Sequence, residues 1–451
     1  MKSKNTRTSI LISVMITILA INLGFIFTNL PISKTANQET IFEGLKTSAT
    51  YNSTIEIDDT DPLKDWANAS AEGICTGSGT SGDPYIISGD LFNTTSGSVS
   101  LQISNSRKYF RVLNNEFRIS GFAAGILLDN TTNGLIEDNQ VLSSDFLNIL
   151  IDNCSQIILR DNNCSTSGIG IVLTDSDHIT LDSNTVNDNI DNGIVLDNCD
   201  FVTIMTNTII NNTNGIIMDN SNNTQMSGNT ITNNRNHGIY IFQSWTGSIS
   251  NNDVNHNTDD GIMLEQSGLF TISLNHAINN THGIYIFDSS IFNTLSENTA
   301  NNNALSGIEL RTDSHNNTLQ KNTANHNGEE GIWLFDCDDS VIFDNIALDN
   351  TRHGIRMNNG VNLTCTNNEA YENSLNGIRL FDTDDSLIDG NDAQYNGENG
   401  ILIFQGSERN FLSGNMALLN NLSGIFLESG SNDNIIYQNT ASDNMEHGIF
   451  L

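Results

Sequence analysis

Short bursts of apolar residues recur along most of the chain, and within each burst every second position is apolar. Asn, Asp, Ser and Gly separate the bursts. An alternation with a period of two is typical of β-strands, whereas a helix would show a period near 3.6 residues. The pattern therefore predicts many short strands joined by tight turns.

The bursts are organised in a repeat of about 23 residues, a length that holds three short strands. One marker is a Gly-Ile pair, or a close variant, that recurs from Gly125 to Gly448. A second marker is an Asn that precedes each pair by eight or nine residues, from Asn139 to Asn439. Too little helical patterning is present for a leucine-rich repeat of similar period. We predict an all-β, right-handed, single-stranded parallel β-helix (a solenoid) of about 15–16 coils over residues 86–451.

Two properties of Asn explain why it recurs at one turn of the repeat. Identical side-chain amides stacked at the coil spacing can hydrogen-bond from one coil to the next. Asn also tolerates the left-handed backbone conformation that many turns require. The sequence therefore predicts an asparagine ladder at a left-handed turn.

The N-terminus carries the pattern of an export signal. Lys2, Lys4 and Arg7 precede an apolar run from Ile10 to Leu30 that is long enough to span a bilayer. Residues 1–30 are predicted to be a signal peptide or an uncleaved signal anchor. Either interpretation predicts an exported protein, extracellular or on the cell surface. The anchor interpretation adds membrane association through residues 10–30.

A linker over residues 31–54 and a cap over residues 55–85 are predicted to precede the β-helix. Within the cap, Asp61-Pro62 followed by Leu63, Trp66 and Ala67 predicts a short helix with one apolar face. Such a helix would cover the open strand edges at the N-terminal end of the stack.

The charge of the chain restricts its partners. Fifty-three acidic and 18 basic residues give a formal net charge of −35. Binding to a nucleic-acid backbone needs clustered Lys and Arg, so a nucleic-acid partner is excluded. High acidity favours cation binding and an exposed, extracellular setting.

The repeat from about Leu101 to Leu451, together with the phrase Gly-Asp-Pro-Tyr-Ile-Ile at 82–87, resembles the NosD-like family of right-handed parallel β-helix repeats. This family belongs to the pectate-lyase-like superfamily, which includes polygalacturonases, alginate epimerases and carbohydrate-binding or sugar-hydrolysing surface proteins. The resemblance implies the fold and a function connected with carbohydrate. The catalytic signatures of pectate lyases, polygalacturonases and alginate epimerases are absent, so binding is favoured over catalysis and the enzyme question stays open.

The residue between Ile and Leu of each G-I-x-L strand is predicted to point outward. Tyr240, Tyr285, Trp333, Arg356 and Arg379 fall in this row. Aromatic rings stack on sugar rings and Arg pairs with carboxylates, so these five residues are candidate ligand-binding residues. The alternative is that the outward apolar residues form a packing surface.

Catalysis would need a base beside a group that stabilises negative charge. Glu309, Arg311, Arg356 and Arg379 are the outward residues that offer this combination, and they are the candidate catalytic residues.

Acidic turns form a candidate calcium site, because Ca²⁺ takes six to eight oxygen ligands in a flexible arrangement. The predicted ligands are Asp336, Asp338, Asp339, Asp382 and Asp384. The alternative is a solvated acidic turn in a very acidic protein.

Histidines offer a weaker metal candidate. His237, Asp260 and His282 fall on consecutive coils and could bind copper or zinc. The two histidines would be two coil spacings apart, which is a poor fit to metal–ligand bonds of about 2 Å.

These observations predict an exported, surface-associated β-helix that binds a polysaccharide or cell-surface glycan along one strand face. An acidic polysaccharide bridged by calcium is included in this prediction. Three alternatives remain: a polysaccharide lyase, hydrolase or epimerase; a structural or adhesive rod; and a NosD-like copper-site maturation factor.

Overall fold

The computed structural model describes residues 49–95, 97–143, 146–428 and 430–451. The signal segment predicted over residues 1–30, with its membrane association, lies outside the described residues, as does most of the predicted linker. Within the described part of the chain, the structure contains no apolar helix of membrane-spanning length.

The front sheet contains the G-I-x-L strands, one from each coil, and every strand pairs in parallel with the strands of the neighbouring coils. Its strands are Ile55–Asp58, Leu101–Ser104, Ala124–Asp129, Leu147–Asp152, Ile169–Thr174, Ile194–Asp197, Ile216–Asp219, Ile239–Phe242, Ile262–Glu265, Ile284–Phe287, Ile308–Arg311, Ile332–Phe335, Ile355–Asn358, Ile378–Phe381, Ile401–Phe404, Ile425–Leu427 and Ile449–Phe450. The same repeat position pairs from coil to coil, so that Ile262 lies between Ile239 and Ile284. Equivalent residues therefore form columns along the solenoid.

The second sheet follows the front sheet in each coil and is also parallel. Its strands are Tyr85–Ser88, Phe110–Leu113, Thr132–Glu137, Ser155–Arg160, Thr180–Asp182, Thr203–Met205, Thr224–Ser227, Trp245–Ser250, Gly268–Ser273, Thr294–Ser296, Thr318–Gln320, Val341–Phe343, Thr364–Thr366, Leu387–Asp389, Phe411–Ser413 and Ile435–Tyr437. Its 16 strands confirm the predicted parallel β-helix of about 15–16 coils.

The third sheet closes each coil and is interrupted. Its strands are Thr50–Tyr51, Leu91–Thr95, Glu116–Ser120, Gln140–Ser143, Thr185–Asn187, Thr208–Ile210, Thr230–Thr232, Asp253–Asn255, Ile346–Leu348 and Glu369–Tyr371. Single-residue parallel bridges, such as His276 to Thr299, continue the pairing between these groups.

The predicted N-terminal helix is present as α1, Trp66–Ala71, and follows the first strand of the front sheet. It begins later than Pro62 suggests, because the Asp65 side chain caps it by accepting a hydrogen bond from the Asn68 backbone N–H. Trp66 is buried against Tyr85, with stacked rings 4.8 Å apart, whereas Leu63 is exposed. The apolar face of the helix therefore rests on Trp66 and Ala69.

The predicted asparagine ladder is confirmed. Asn252, for example, donates from its backbone N–H and from Nδ2 to Oδ1 of Asn275 at 3.0 and 2.9 Å, and Nδ2 also donates to the Met226 carbonyl at 3.1 Å. A second ladder with the same bonding, missed in the sequence, lies between the third and front sheets. It contains Asn189, Asn212, Asn234, Asn257, Asn280, Asn303, Asn327, Asn350, Asn373, Asn396, Asn420 and Asn444.

The left-handed position expected at the ladder lies one residue earlier. Asp138, Leu274 and Lys321 each precede a ladder Asn and have φ of 55°, 58° and 54°. The ladder Asn points its amide inward and hydrogen-bonds to the next coil, whereas the residue before it has the left-handed conformation of the turn. The repeat glycines then give the second ladder its space: a Cβ on Gly331 would lie 2.8 Å from Asn350 Nδ2 and 2.7 Å from the Gly354 carbonyl oxygen.

Candidate functional site

The front face, formed by the outward side chains of the front sheet, differs between its two halves. In the first half the outward row is aliphatic and nearly inaccessible: Leu150, Val172, Val195 and Ile217 are between 0% and 6% exposed. This part has the character of the packing surface considered above. Acidic residues border the row, and burial, followed by the charge of Asp197, raises the pKa of Asp219 to about 6.

From Tyr240 onward the outward row becomes aromatic and charged, and most of its side chains are half-buried. The arginine–aromatic band is the set Arg311, Trp333, Phe335, Arg356, Arg379, Phe381 and Phe404. The guanidinium carbons of Arg311 and Arg356 lie 4.8 and 4.3 Å from the centre of the Trp333 ring, so two cations stack on one indole. The structure thus brings together three of the five predicted ligand-binding residues, Trp333, Arg356 and Arg379, on three adjacent coils.

The charges in this band are only partly neutralised. Arg356 Nη1 pairs with Glu330 Oε1 at 2.8 Å. Arg379 is the register partner of Arg356 and contacts Asn358 Oδ1 at 3.3 Å, but it forms no ion pair with any described residue. Burial, together with the charge of Arg356, lowers the pKa of Arg379 to about 10. An arginine without a carboxylate partner is notable in a chain of net charge −35.

Among the described residues, three buried polar atoms beside the band have no hydrogen-bond partner: Ser306 Oγ, Glu330 Oε2 and Trp333 Nε1. Ser306 and Glu330 are fully buried. Because unsatisfied buried polar atoms are costly, such groups are typical of positions where a ligand or water completes the bonding.

Glu309, predicted to be an outward base, is 1% exposed. Its carboxylate lies 3.3 Å from His282 Nε2 and 3.4 Å from Arg311 Nη1. Trp333 lies between Glu309 and Arg356 in the outward row. The four predicted catalytic residues therefore fall into two pairs, Glu309 with Arg311 and Arg356 with Arg379, and their catalytic role stays a prediction.

The other two predicted ligand-binding residues, Tyr240 and Tyr285, lie beside histidines. Their rings are 5.3 Å from His237 and 4.8 Å from His282. The Tyr240 hydroxyl donates to Glu265 at 2.6 Å. Burial, followed by the nearby Glu309, raises the pKa of Tyr285 to about 12, so both phenols are neutral at pH 7.

These histidines belong to the pre-glycine column, formed by the residue immediately before each repeat glycine from Gly193 onward. The column contains Asn192, Asn214, His237, Asp260, His282, Ser306, Glu330, His353, Asn376, Asn399, Ser423 and His447. Where Asn occupies it, the amide oxygen accepts a backbone N–H of an adjacent coil, as Asn376 Oδ1 does from Asn399 at 3.0 Å. His353 takes the same role through Nδ1, which accepts from the Asn376 N–H at 3.2 Å.

In the middle of the column, titratable groups form a buried cluster. Asp260 is 3% exposed; its Oδ1 lies 2.6 Å from His282 Nδ1 and its Oδ2 lies 3.4 Å from His237 Nδ1. Burial opposes the charged forms, but Asp260 and Glu309 raise the pKa of His282 to about 10, and His237 and His282 lower the pKa of Asp260 to about 2. His237 follows the same pattern, since Asp260 outweighs burial and raises its pKa.

Asp259, which the sequence analysis missed, completes this cluster: its Oδ2 lies 3.6 Å from His237 Nε2. Among the described residues, His237, Asp259 and Asp260 are the one group of three or more His, Cys, Asp or Glu side chains whose ligand atoms all lie within 4.8 Å of one another. The sequence carried a signal for the two histidines only, because the hexapeptide His-Gly-Ile-Tyr-Ile-Phe occurs at both 237–242 and 282–287.

The aspartates predicted to bind calcium lie on the turns after the front sheet and are used in other contacts. Asp338 Oδ1 accepts the Val361 backbone N–H at 2.8 Å. Asp384 Oδ2 lies 3.1 Å from Arg409 Nη2. Asp339 accepts from Asn362, whereas Asp336 and Asp382 hydrogen-bond to the next coil through their backbone N–H groups. The calcium site stays a prediction.

Three solved structures illustrate what this chain is similar to. The A-module of a mannuronan C-5 epimerase from Azotobacter vinelandii is 14% identical, with a TM-score of 0.47 over 75% of this chain and 92% of that chain. A periplasmic alginate epimerase is 14% identical, with a TM-score of 0.41 over 87% and 84%. The enzymatically active domain of tailspike protein 2 of bacteriophage CBA120 is 15% identical, with a TM-score of 0.40 over 47% and 39%.

No curated protein matches the chain. The family described as "Right handed beta helix region" matches residues 67–200, 99–246, 169–324, 292–393 and 361–451. These matches together span nearly all of the solenoid and agree with its parallel strand pairing. The chain therefore belongs to the right-handed β-helix family.

Proposed function

We propose that this protein is an exported β-helix that binds an anionic polysaccharide along the arginine–aromatic band. The observation that carries the proposal is Arg379, a half-buried arginine that forms no ion pair with any described residue in a strongly acidic protein. Desolvating an unpaired charge is costly, so a ligand carboxylate or sulfate at this position would supply the missing partner.

The rings of the band support a saccharide ligand. The guanidinium carbon of Arg379 lies 5.1 and 4.9 Å from the ring centres of Phe381 and Phe404, which also contact each other at 5.1 Å. Stacking fixes the plane of the guanidinium fork before a ligand arrives, which reduces the entropy lost on binding. The alternation of flat apolar surfaces with cations suits a chain of sugar rings that carry acidic groups.

The band is also extended in the direction that a polymer needs. From Arg311 to Phe404 it crosses five consecutive front-sheet strands, a span of about 19 Å at a coil spacing of about 4.8 Å. The partly exposed side chains of Arg311 and Arg356, at 36% and 18%, leave their outer edges open to solvent. A linear glycan can therefore contact several coils at once, and the linked weak contacts together raise the overall affinity.

The test uses the full chain in calorimetric titrations with polygalacturonate and alginate, and with neutral dextran as the comparison. We expect saturable binding to the anionic polymers only. Arg379→Ala and Arg356→Ala should each weaken affinity about tenfold, which corresponds to the loss of one charge-assisted contact of about 1.4 kcal/mol.

Arg118→Ala is the matched control, because Arg118 is exposed on the third sheet and pairs with Glu116 away from the band. It should bind like the wild type. Equal binding of dextran, or unchanged affinity in Arg379→Ala, would refute the proposal. Analysis of the same mixtures for shortened or unsaturated products tests the lyase, hydrolase or epimerase alternative, which stays a prediction along with the rod and copper-maturation alternatives.

A further inference from the structure

We propose that His237, Asp259 and Asp260 bind one divalent transition-metal ion of the zinc class, with His282 holding the Asp260 ligand in place. This site is separate from the arginine–aromatic band and does not depend on glycan binding. The first argument is its geometry. His237 Nε2 lies 3.6 Å from Asp259 Oδ2, and His237 Nδ1 lies 3.4 Å from Asp260 Oδ2. One ligand atom from each of the three residues lies within 4.8 Å of the other two.

A ring nitrogen binds one ion, so His237 contributes one nitrogen only, and the 3.4 Å between Nδ1 and Asp260 Oδ2 is close to the spacing of two ligands on a tetrahedral ion. With metal–ligand bonds of about 2.0–2.1 Å, neighbouring ligand atoms in a tetrahedron are about 3.3 Å apart. One imidazole and two carboxylates form a donor set that suits zinc-class ions, whereas six or more oxygens would be typical of calcium. The Asp259 side chain is 50% exposed, so it can rotate to close the site.

The second argument is the behaviour of His237 within the pre-glycine column. His353, in the same column, uses Nδ1 to accept the backbone N–H of Asn376 at 3.2 Å. His237 Nδ1 is buried but has no hydrogen-bond partner among the described residues, because its 3.4 Å approach to Asp260 lacks hydrogen-bond geometry. His237 Nδ1 therefore does not accept a backbone N–H as His353 does, and it faces a carboxylate instead. A buried ring nitrogen in this position is suited to bind a metal ion.

The third argument is the support behind Asp260. His282 Nδ1 lies 2.6 Å from Asp260 Oδ1, the oxygen opposite the one that faces His237. His282 Nε2 is in turn held 3.3 Å from Glu309. Hydrogen-bonded outer partners that fix a ligand carboxylate are a regular feature of protein metal sites. His282 is therefore a positioning residue, and three protein ligands leave a fourth coordination position for water or a ligand.

The column itself supplies substitutions that preserve the coil. Asn is the native residue at four of its positions, Asn192, Asn214, Asn376 and Asn399, where it hydrogen-bonds to an adjacent coil. His237→Asn and Asp260→Asn therefore each remove a metal ligand and replace it with a side chain that the solenoid already contains at this repeat position. His353→Asn is the matched control, because it makes the same change in the same column away from the cluster.

The test uses the full chain, stripped of metal with a chelator and titrated with Co²⁺, whose visible absorption reports tetrahedral coordination, and with Zn²⁺ by calorimetry. We expect one ion per chain. His237→Asn and Asp260→Asn should abolish tight binding, His282→Asn should weaken it about tenfold to 100-fold, and His353→Asn should leave it unchanged.

Each other outcome overturns the site. Absence of saturable 1:1 binding, or unchanged affinity in His237→Asn, would show that the cluster is an ion-pair network only. Equal affinity for Ca²⁺ with competition against Co²⁺ would show that the carboxylates bind without the imidazole. Circular dichroism of every variant establishes that the solenoid is intact, so that loss of metal is not loss of fold.

Discussion

The asparagine ladders and the pre-glycine column run along the same solenoid with the same spacing, yet their composition differs. In the ladders nearly every coil contributes Asn, and each amide repeats the same bonds to the next coil. The pre-glycine column has Asn at 192, 214, 376 and 399, but His, Asp, Ser and Glu lie between these pairs, and Ser and His follow them. The difference teaches that a column buried on all sides keeps the same residue type and the same hydrogen bonds in every coil. A column that borders the front face can change its residue type from coil to coil.

Removal of a ladder amide should have the largest effect on stability. In Asn345→Ala, the Asn322 backbone N–H and Nδ2 lose their acceptor, and the Leu319 carbonyl loses its donor. Each buried group left unpaired costs about 1–3 kcal/mol, so we expect a loss of about 4 kcal/mol in the free energy of unfolding. Chemical denaturation measures it. The exposed Asn421→Ala is the control, and an equal loss there would contradict the distinction between ladder and surface Asn.

His282→Asn should destabilise the protein by about 3 kcal/mol at pH 6–7, because it removes the imidazolium between Asp260 and Glu309. The pKa of His282 is raised to about 10. The stabilisation it provides is therefore complete below its unfolded pKa of about 6.5 and is lost as pH rises through about 10. The difference between variant and wild type should shrink over that range in denaturation curves. A difference independent of pH would show that the ring contributes by packing alone.

Gly354→Ala should cost about 2 kcal/mol by overpacking. Its Cβ would lie 2.7 Å from Asn373 Nδ2 and from the Gly377 carbonyl oxygen, and 2.9 Å from Ala370 Cβ. The substitution tests whether the second ladder and the front sheet are in contact through the glycine. Thermal unfolding compares it with Gly82→Ala, where no atom lies within 4 Å of the new Cβ. Similar melting temperatures for both variants would disprove the close approach.

The smallest effect at neutral pH is expected for His353→Asn, since Asn can accept the same Asn376 N–H. Burial, followed by Arg379 and Arg356, lowers the pKa of His353 to about 3. Between pH 6.5 and 3 the unfolded chain binds a proton that the folded chain does not, so the wild type loses stability as pH falls. The variant should therefore match the wild type at pH 8 and exceed it by about 1–2 kcal/mol at pH 5. Parallel denaturation curves at both pH values decide this, and a variant that is weaker at pH 5 would contradict it.

The sequence was sufficient to predict the strands, the repeat and the inward residues. Alternation within a strand decides which side chains face the core, and Ile262 and Leu264 are both fully buried as the G-I-x-L pattern predicts. The position of the first asparagine ladder followed from its fixed spacing, whereas the left-handed turn was expected one residue too late. The second ladder was missed because Asn is abundant in the chain, so that its regular spacing did not stand out from the many other Asn residues in each repeat.

Outward residues could be named from the sequence, but their surroundings could not. Val172 and Trp333 occupy the same repeat position, yet Val172 is fully buried and Trp333 is stacked between two arginines. Glu309 was expected to be an accessible base and is instead 1% exposed between His282 and Arg311. Burial of an outward side chain depends on its neighbours in adjacent coils, about 23 residues away in sequence.

The sequence by itself determined a parallel β-helix, since the alternation and spacing of apolar residues are local properties that fix strand and coil. Only the tertiary structure decided that Asp259 joins His237 and Asp260, and that Arg379 forms no ion pair with any described residue. Those facts depend on side-chain directions across coils, where a separation of about 4.8 Å sets which columns meet but not which atoms face each other.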